Sequence, residues 1–544
     1  MSYDYSFSSY RSPVLGRRGA VGSSQPLATA AGIEVLSKGG TAADAAVAVA
    51  AALNVTEPGS TGLGGDAFAL FYNAQDKKVY SLNGSGHAPK ALTLERVKKD
   101  GFTTDLPPQH PYCITVPGAC AMWCDITSRF GKLPLSETLS PAIRLAEEGF
   151  PVAPLTAISW QNAAKNWLSK VPNGTELTIE GRGPQAGEIF RNPGLARTMR
   201  MIAEGGKKAY YEGEIAESIV AIIKEAGGCM ELEDLAAHES TWVEPISIDY
   251  RGVRIWECPP NGQGLAALLA LNILEGFDVA DLPANSTERL HLTIEAMRLA
   301  FADAFHFIAD PDFNPAPLKE LLSRAYADDR RRLINPRSAN LNYPYGNPIY
   351  SSDTVYLSVA DQYGNACSFI NSNYMGFGTG IVPRGRGFSL QNRGHNFSLE
   401  EGHANQLMPG KRPYHTIIPA MATYTSDNNL YASYGVMGGF MQPQGHMQVT
   451  VGMVDDELNP QQALDRPRFC LLAGGRSGGK VQLEEGIPVE VMSDLAAMGH
   501  PVMPVSGLGR QGFGRGQIIR RDPENGVLWA GSDPRADGCA MTLV

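Results

Sequence analysis

The chain has 544 residues, of which 43% are hydrophobic and 19% charged, with a formal net charge of −10. Such a composition describes a globular protein long enough for one large shared core or more than one domain. The acidic balance argues against nucleic acid or an anionic membrane as the main partner, and no apolar run reaches the length of a membrane span.

The first dozen residues lack the basic-then-apolar pattern of a signal peptide, so a cytoplasmic protein is expected. The eight cysteines are scattered and the ten histidines show no ligand spacing. Reduced thiols, no metal and no cofactor are therefore expected.

Taken in order, residues 26–38 predict a helix stopped by Gly39-Gly40, and Thr41 caps a second helix over 42–53 made almost wholly of small residues. Alanine faces permit close approach, so that helix is expected to be buried. The loop Pro58-Gly-Ser-Thr-Gly-Leu-Gly-Gly-Asp66 precedes a strand over 67–72. It reads as a tight turn, since a phosphate loop needs the opposite order of elements and a Lys. Further helices are expected after Ile114-Thr-Val-Pro-Gly118 to about residue 130, over 140–149 with Pro141 in the first turn, within 195–228, from 264 to about 274, and after Ser286 or Thr287. Residues 249–256 alternate as one strand. Residues 335–352 have no period and read as an exposed loop. Beyond residue 354 the texture is of strands and turns, with short helices at Asn459-Pro460 and over 488–498. Gly507-Leu-Gly-Arg-Gln-Gly512 matches a dinucleotide fingerprint but precedes a strand, so that reading fails.

The most informative stretch is 353–381. Val355, Leu357 and Val359 alternate with Tyr356, Ser358 and Ala360, which is strand period. Asp361 to Asn365 supplies turn chemistry around Gly364, and 366–373 reads as the return strand. With Ala360 opposite Ala366, the register places Thr354 opposite Ser372.

The wording Asp-Thr-x-x-x-Ser-Val-x-Asp, then Gly-Asn-Ala, then Phe-Gly-Thr-Gly-Ile resembles the segment that opens the small subunit of γ-glutamyltransferases, which are N-terminal-nucleophile (Ntn) hydrolases. Gly39-Gly-Thr-Ala-Ala-Asp-Ala-Ala, Val116-Pro-Gly, Asp249-Tyr-Arg-Gly, Ala309-Asp-Pro-Asp-Phe and Ser532-Asp-Pro-Arg are further landmarks in family order, so the resemblance covers about 22–535. It implies an α+β fold, a four-layer αββα Ntn-hydrolase sandwich in which both pieces of a processed chain form one intertwined body. It also implies self-cleavage between Asp353 and Thr354 into a large subunit (1–353) and a small subunit (354–544) that pair as a heterodimer or as a dimer of heterodimers.

Thr354 would be the nucleophile. A threonine hydroxyl needs a base, and a free α-amine titrating near 7.7–8.0 in model compounds is one near neutral pH. The cut creates that amine. The resemblance further implies that Ser372 orients the hydroxyl and that backbone N–H groups at Gly438 and Gly439 hold the oxyanion, where glycines admit close backbone approach.

The departures concern the substrate pocket. Ser85 stands where the family has an Arg for the α-carboxylate. Tyr374 replaces an Asn, Asn396 an acidic residue for the α-amino group, and His415-Thr416 a Ser-Ser pair. Without the acid, an α-ammonium would be buried unpaired, while Arg393 remains a candidate cation. The expected substrate, contacted by Arg393, Asn396, His415, Thr416, Tyr374 and Ser85, is thus a small amide of an acid or acyl group lacking the α-amino group. The pattern resembles the branch that includes oxamate amidohydrolase and cephalosporin-acylase-like proteins. A true γ-glutamyltransferase or glutathione hydrolase with a rebuilt pocket is one alternative, and a non-catalytic relative acting as a binding protein is another.

Overall fold

The computed structural model describes residues 11–343, 354–472 and 479–544. Two seven-stranded sheets, antiparallel throughout, form its centre. The first runs Cys539–Thr542, Ala20–Ser23, Val355–Ala360, Ala366–Ser372, Asp66–Asn73, Lys78–Gly84, Thr241–Val243. The second runs Val14–Gly16, Leu528–Ser532, Arg515–Arg521, Leu430–Met437, Ala420–Tyr424, Val253–Glu257, Ile246–Tyr250. In the first sheet, strands from before and after residue 354 are interleaved: Ala20–Ser23 flanks Val355–Ala360, and Ala366–Ser372 flanks Asp66–Asn73.

The pleat explains the layering. Val355, Leu357 and Val359 turn toward helices Pro26–Ser37 and Ala42–Thr56, while Tyr356 and Ala360 join Phe68, Leu70, Met421 and Ile519 in a core between the sheets. Ser358 Oγ donates to the carbonyl of Ser433 across that gap at 3.0 Å. A third core lies between the second sheet and helices Gly264–Leu274, Thr287–Phe307 and Met441–Val454. These three cores separate four layers, helix–sheet–sheet–helix, as expected.

The helix Ala42–Thr56 is buried at every position, and its small side chains let the nucleophile strand's sheet approach closely. Thr41 and Asp44 form a reciprocal capping box at its start, a device worth about 1 kcal/mol. Asp361, from the turn of the 355–372 hairpin, accepts the Ala42 N–H at 2.8 Å. The turn that sets the hairpin register is thereby tied to the helix beneath it.

Three expectations are corrected. Pro141 lies inside helix Leu135–Glu148, not in its first turn, because the helix starts a turn and a half earlier after Pro134. Residues 249–256 are two strands of a hairpin, since Arg251 (φ 45°) and Gly252 (φ 88°) both adopt the left-handed region that a tight hairpin turn requires. The region beyond 354 also holds the long buried helix Met441–Val454. Pro443, Gly445, Gly452 and several buried polar residues hide its period. The described part of the 335–352 loop is largely exposed up to residue 342. Among the described residues, no helix is long and apolar enough to cross a membrane.

Candidate active site

Thr354 immediately precedes strand Val355–Ala360. The observed pairing Ala360↔Ala366 through Val355↔Asn371 carries Thr354 to Ser372. Their hydroxyl oxygens are 3.2 Å apart, and both residues are fully buried. Even-numbered side chains of this hairpin face the gap between the sheets, so the pair opens onto the end of that gap. Ser372 Oγ accepts the Tyr374 N–H at 2.8 Å and an Arg393 Nη2 hydrogen at 3.3 Å. Between the two hydroxyls either oxygen can serve as the donor. Asp353, the other side of the expected cut, lies outside the described residues.

Arg393 opens a short 3₁₀ turn, Arg393–Asn396. Its Nη1 donates to Thr416 Oγ1 at 2.7 Å, its Nη2 to Ser372, and its carbon lies 4.4 Å from the centre of the Tyr374 ring. Nε is buried without a partner, and among the described residues no carboxylate forms an ion pair with the guanidinium. Burial pushes its pKa down to about 10, with Asp66 partly restoring it at longer range, so it remains a cation at neutral pH. Tyr374 Oη donates to Asn396 Oδ1 at 2.5 Å, and Asn396 Nδ2 reaches the Tyr414 carbonyl at 3.1 Å. Tyr374 itself has φ 79°, an uncommon backbone for a bulky residue, of the kind that recurs at functional sites.

His415 and Ser85 stand behind this group. His415 Nε2 is 3.0 Å from Asp66 Oδ2, and its backbone is held by Asn261 and Gln263. Burial keeps the imidazole neutral, reinforced by Arg393 and Arg412, and pushes the Asp66 carboxyl up to about 6 although Arg393 pulls the other way. The contact is therefore a neutral N–H donating to a carboxylate above that pH. Asp66 Oδ1 also accepts the N–H groups of Gly86 and Gly118, both at 3.1 Å. Ser85 Oγ donates to Asn83 Oδ1 at 2.7 Å, and its carbonyl accepts from Arg412 at 3.1 Å.

Gly438 (φ 130°) and Gly439 (φ 57°) end strand Leu430–Met437 and lead into helix Met441–Val454. The helix start offers N–H groups and a favourable dipole end to developing negative charge. The carbonyls of Gly439 and Thr416 are bridged by the side chain of Gln263. The glycine pair is thus joined to the Thr354–Ser372–Arg393–Thr416 chain of contacts.

Asp66, Gln263 and Asn261 were not singled out by sequence. A carboxylate opening an apolar strand was the available signal for Asp66; the two amides, in a Pro-Pro-Asn-Gly-Gln-Gly run, carried none. The glycine-rich loop before Asp66 also has a more specific role than a turn. A Cβ on Gly65 would lie 2.3 Å from the Ser372 carbonyl, so the loop's backbone packs directly on the end of the return strand. All eight cysteines are free thiols. Among the described residues no three His, Cys, Asp or Glu side chains cluster as metal ligands would.

A family model described as gamma-glutamyltranspeptidase matches residues 28–543. The glutathione hydrolase-like YwrD proenzyme of Bacillus subtilis (strain 168) is 38% identical over 97% of this chain and 99% of its own length. The oxamate amidohydrolase proenzyme of Klebsiella pneumoniae is 32% identical, covering 94% of this chain and 96% of the relative. The crystal structure of cephalosporin acylase from Bacillus halodurans has a TM-score of 0.93 at 46% identity, covering 99% and 98% of the two chains. Likeness of this degree, over the whole length and around a threonine–serine pair at the end of a double sheet, makes the chain an enzyme of the γ-glutamyltranspeptidase family with the Ntn-hydrolase fold.

Proposed function

We propose that the chain is a self-processing amidohydrolase acting on a small amide that carries a carboxylate and lacks the γ-glutamyl α-amino group. The observation that carries this reading is Arg393. It is a fully buried cation beside the Thr354–Ser372 pair whose hydrogen bonds go to neutral hydroxyls. A buried charge without a counter-ion is costly, and a substrate carboxylate would compensate it. The nearest buried carboxylate, Asp66, is already engaged by two backbone N–H groups and His415, which leaves it poorly placed to receive a substrate ammonium. The name of one relative, oxamate amidohydrolase, refers to an acid amide of this kind.

Cleavage between Asp353 and Thr354 would give pieces 1–353 and 354–544, held as a heterodimer. The word proenzyme in the names of several relatives supports such processing. The freed Thr354 amine takes the hydroxyl proton as Oγ1 attacks the amide carbonyl carbon. The N–H groups of Gly438 and Gly439 hold the oxyanion. Collapse breaks the C–N bond, and the leaving amine takes the proton from the Thr354 ammonium. Water then attacks the ester, giving its proton to the same amine, and the acid leaves as the Thr354 oxygen is released. Arg393, assisted by Thr416, Tyr374 and Asn396, holds the carboxylate, with His415 and Ser85 shaping the wall behind. Eight free thiols support a reducing, cytoplasmic setting.

Intact mass, denaturing gels and N-terminal sequencing of the wild type beside Thr354→Ala test the processing step. The wild type should give a second piece starting at Thr354, and the variant should stay whole and inactive. The substrate class is tested with the series oxamate, malonamate, succinamate and glutaramate against glutathione. Faster release of glutamate from glutathione than of ammonia from every acid amide would replace this reading with a γ-glutamyl hydrolase. A wild type that stays whole and inert would leave a binding protein.

A further inference from the structure

Gln263 is fully buried at the end of the loop after strand Val253–Glu257, where helix Gly264–Leu274 begins. Both hydrogens of its Nε2 are used. One goes to the Thr416 carbonyl at 2.5 Å and the other to the Gly439 carbonyl at 2.8 Å. Its Oε1 accepts the Tyr414 hydroxyl at 3.1 Å, and its backbone N–H donates to the His415 carbonyl at 3.0 Å. The side-chain amide therefore has a fixed orientation and little freedom to turn.

The two carbonyls it bridges belong to opposite ends of the site. The Thr416 hydroxyl holds the Arg393 guanidinium at 2.7 Å. Gly439 is the second residue of the glycine pair. Glycines accept a wide range of backbone angles, so the direction of their N–H groups has to be imposed from outside. Gln442 N–H holds the Gly439 carbonyl at 3.2 Å from within the following helix. Gln263 holds it against the other sheet-end loop, at a fixed offset from Arg393.

We propose that Gln263 is a positioning residue that sets the distance between the oxyanion donors at Gly438–Gly439 and the Arg393 guanidinium, and thereby selects the number of carbons between the substrate's carboxylate and its scissile amide. The inference rests on the amidohydrolase reading above and adds a gauge to it. A displacement of about 1 Å in a reacting centre costs roughly 100-fold in rate. Loosening the gauge should lower kcat on the best substrate and flatten the preference among chain lengths.

The test is steady-state kinetics of processed enzyme on the four unbranched ω-amides from oxamate to glutaramate. The wild type should favour one member over its neighbours by about tenfold or more in kcat/KM. Gln263→Met, close in volume but without donors, should compress that ratio to about threefold or less and lower kcat roughly 30- to 100-fold, with KM for the best substrate within about threefold. A purely structural role would lower activity on all members alike. Retention of the wild-type ratio in the variant, at whatever total activity, overturns the proposal, as does a wild type indifferent to chain length. If Gln263→Met does not fold or mature, Tyr414→Phe, which frees the far side of the same amide, should halve the ratio or more, and an unchanged ratio there also overturns it. A wild type with no turnover on any member sinks the parent reading instead, so the two failures are separable.

Discussion

Among the buried arginines, the Arg535–Arg468 pair and Arg393 are built in opposite ways. Arg535 reaches Glu484 through Nε at 2.7 Å and Nη2 at 2.5 Å, and Asp533 through Nη1 at 3.0 Å. Arg468 shares Asp533 at 2.7 Å. Arg510 adds a third cation, its Nε 2.7 Å from Glu484 Oε1, and further hydrogens of Arg535 and Arg468 go to backbone carbonyls of Leu464, Arg466 and Phe513. Burial alone would weaken the charge on Arg535, but Asp533 and Glu484 outweigh it and push its pKa up; likewise both arginines hold Asp533 down against its burial. Arg393 is as deeply buried, yet it meets two hydroxyls and an aromatic face, and its pKa falls. A cluster in which every charge has an opposite partner is architecture. On the function proposed above, a cation beside Thr354 with no ion pair among the described residues is a binding site for the substrate's carboxylate.

The contrast is broken or sharpened by substitution. The largest effect should come from Arg535→Met, which removes the one cation common to Glu484 and Asp533 and leaves each with a single arginine, Arg510 and Arg468 respectively. Unfolding in denaturant should show a loss of about 3–5 kcal/mol, and a loss below about 1 kcal/mol would end the architectural reading. Arg393→Met should do the reverse. Stability stays level or rises, while kcat/KM on the acid amide falls about 100-fold, or roughly 3 kcal/mol. Comparable losses of stability at the two sites would erase the distinction.

Thr416→Val removes the shortest hydrogen bond to Arg393 and should raise KM about tenfold, or roughly 1.4 kcal/mol, with kcat little changed. The smallest effect is electrostatic. Asp66 opposes a substrate anion at Arg393 only while it is ionised, that is, above its pKa of about 6. As pH falls through that value Asp66 is neutralised, the guanidinium is left to the substrate, and KM should drop about threefold, by an interaction of under 1 kcal/mol. Asp66→Asn should abolish that dependence, and a KM that instead rises on acidification would show Asp66 to be a partner of the substrate.

How far these features were legible follows from the range over which each is encoded. The 355–372 hairpin was readable because alternation and the Asp361–Asn365 turn are local, and together they fix a register that carries Thr354 to Ser372. The alanine helix was readable for the same reason. Helix Met441–Val454 was not, because it is buried on all sides and its Pro443 and Gly445 read as breakers. Arg393 could be named as a candidate cation from a resemblance, but its lack of a counter-ion depends on residues scattered from Asp66 to Thr416. Gln263 and Asn261 matter only through partners 150 or more residues away, and no local pattern marks such a bond.

The interleaving of strands from either side of residue 354 has a consequence for what a break there can change. Ala20–Ser23 keeps Val355–Ala360 as its neighbour, and Ala366–Ser372 keeps Asp66–Asn73, whether or not the backbone joins 353 to 354. Severing that link would part none of these strand pairs. Under the processing proposed above, maturation would be a change of chemistry at one peptide bond, and neither half could leave without dismantling the sheet that holds the other.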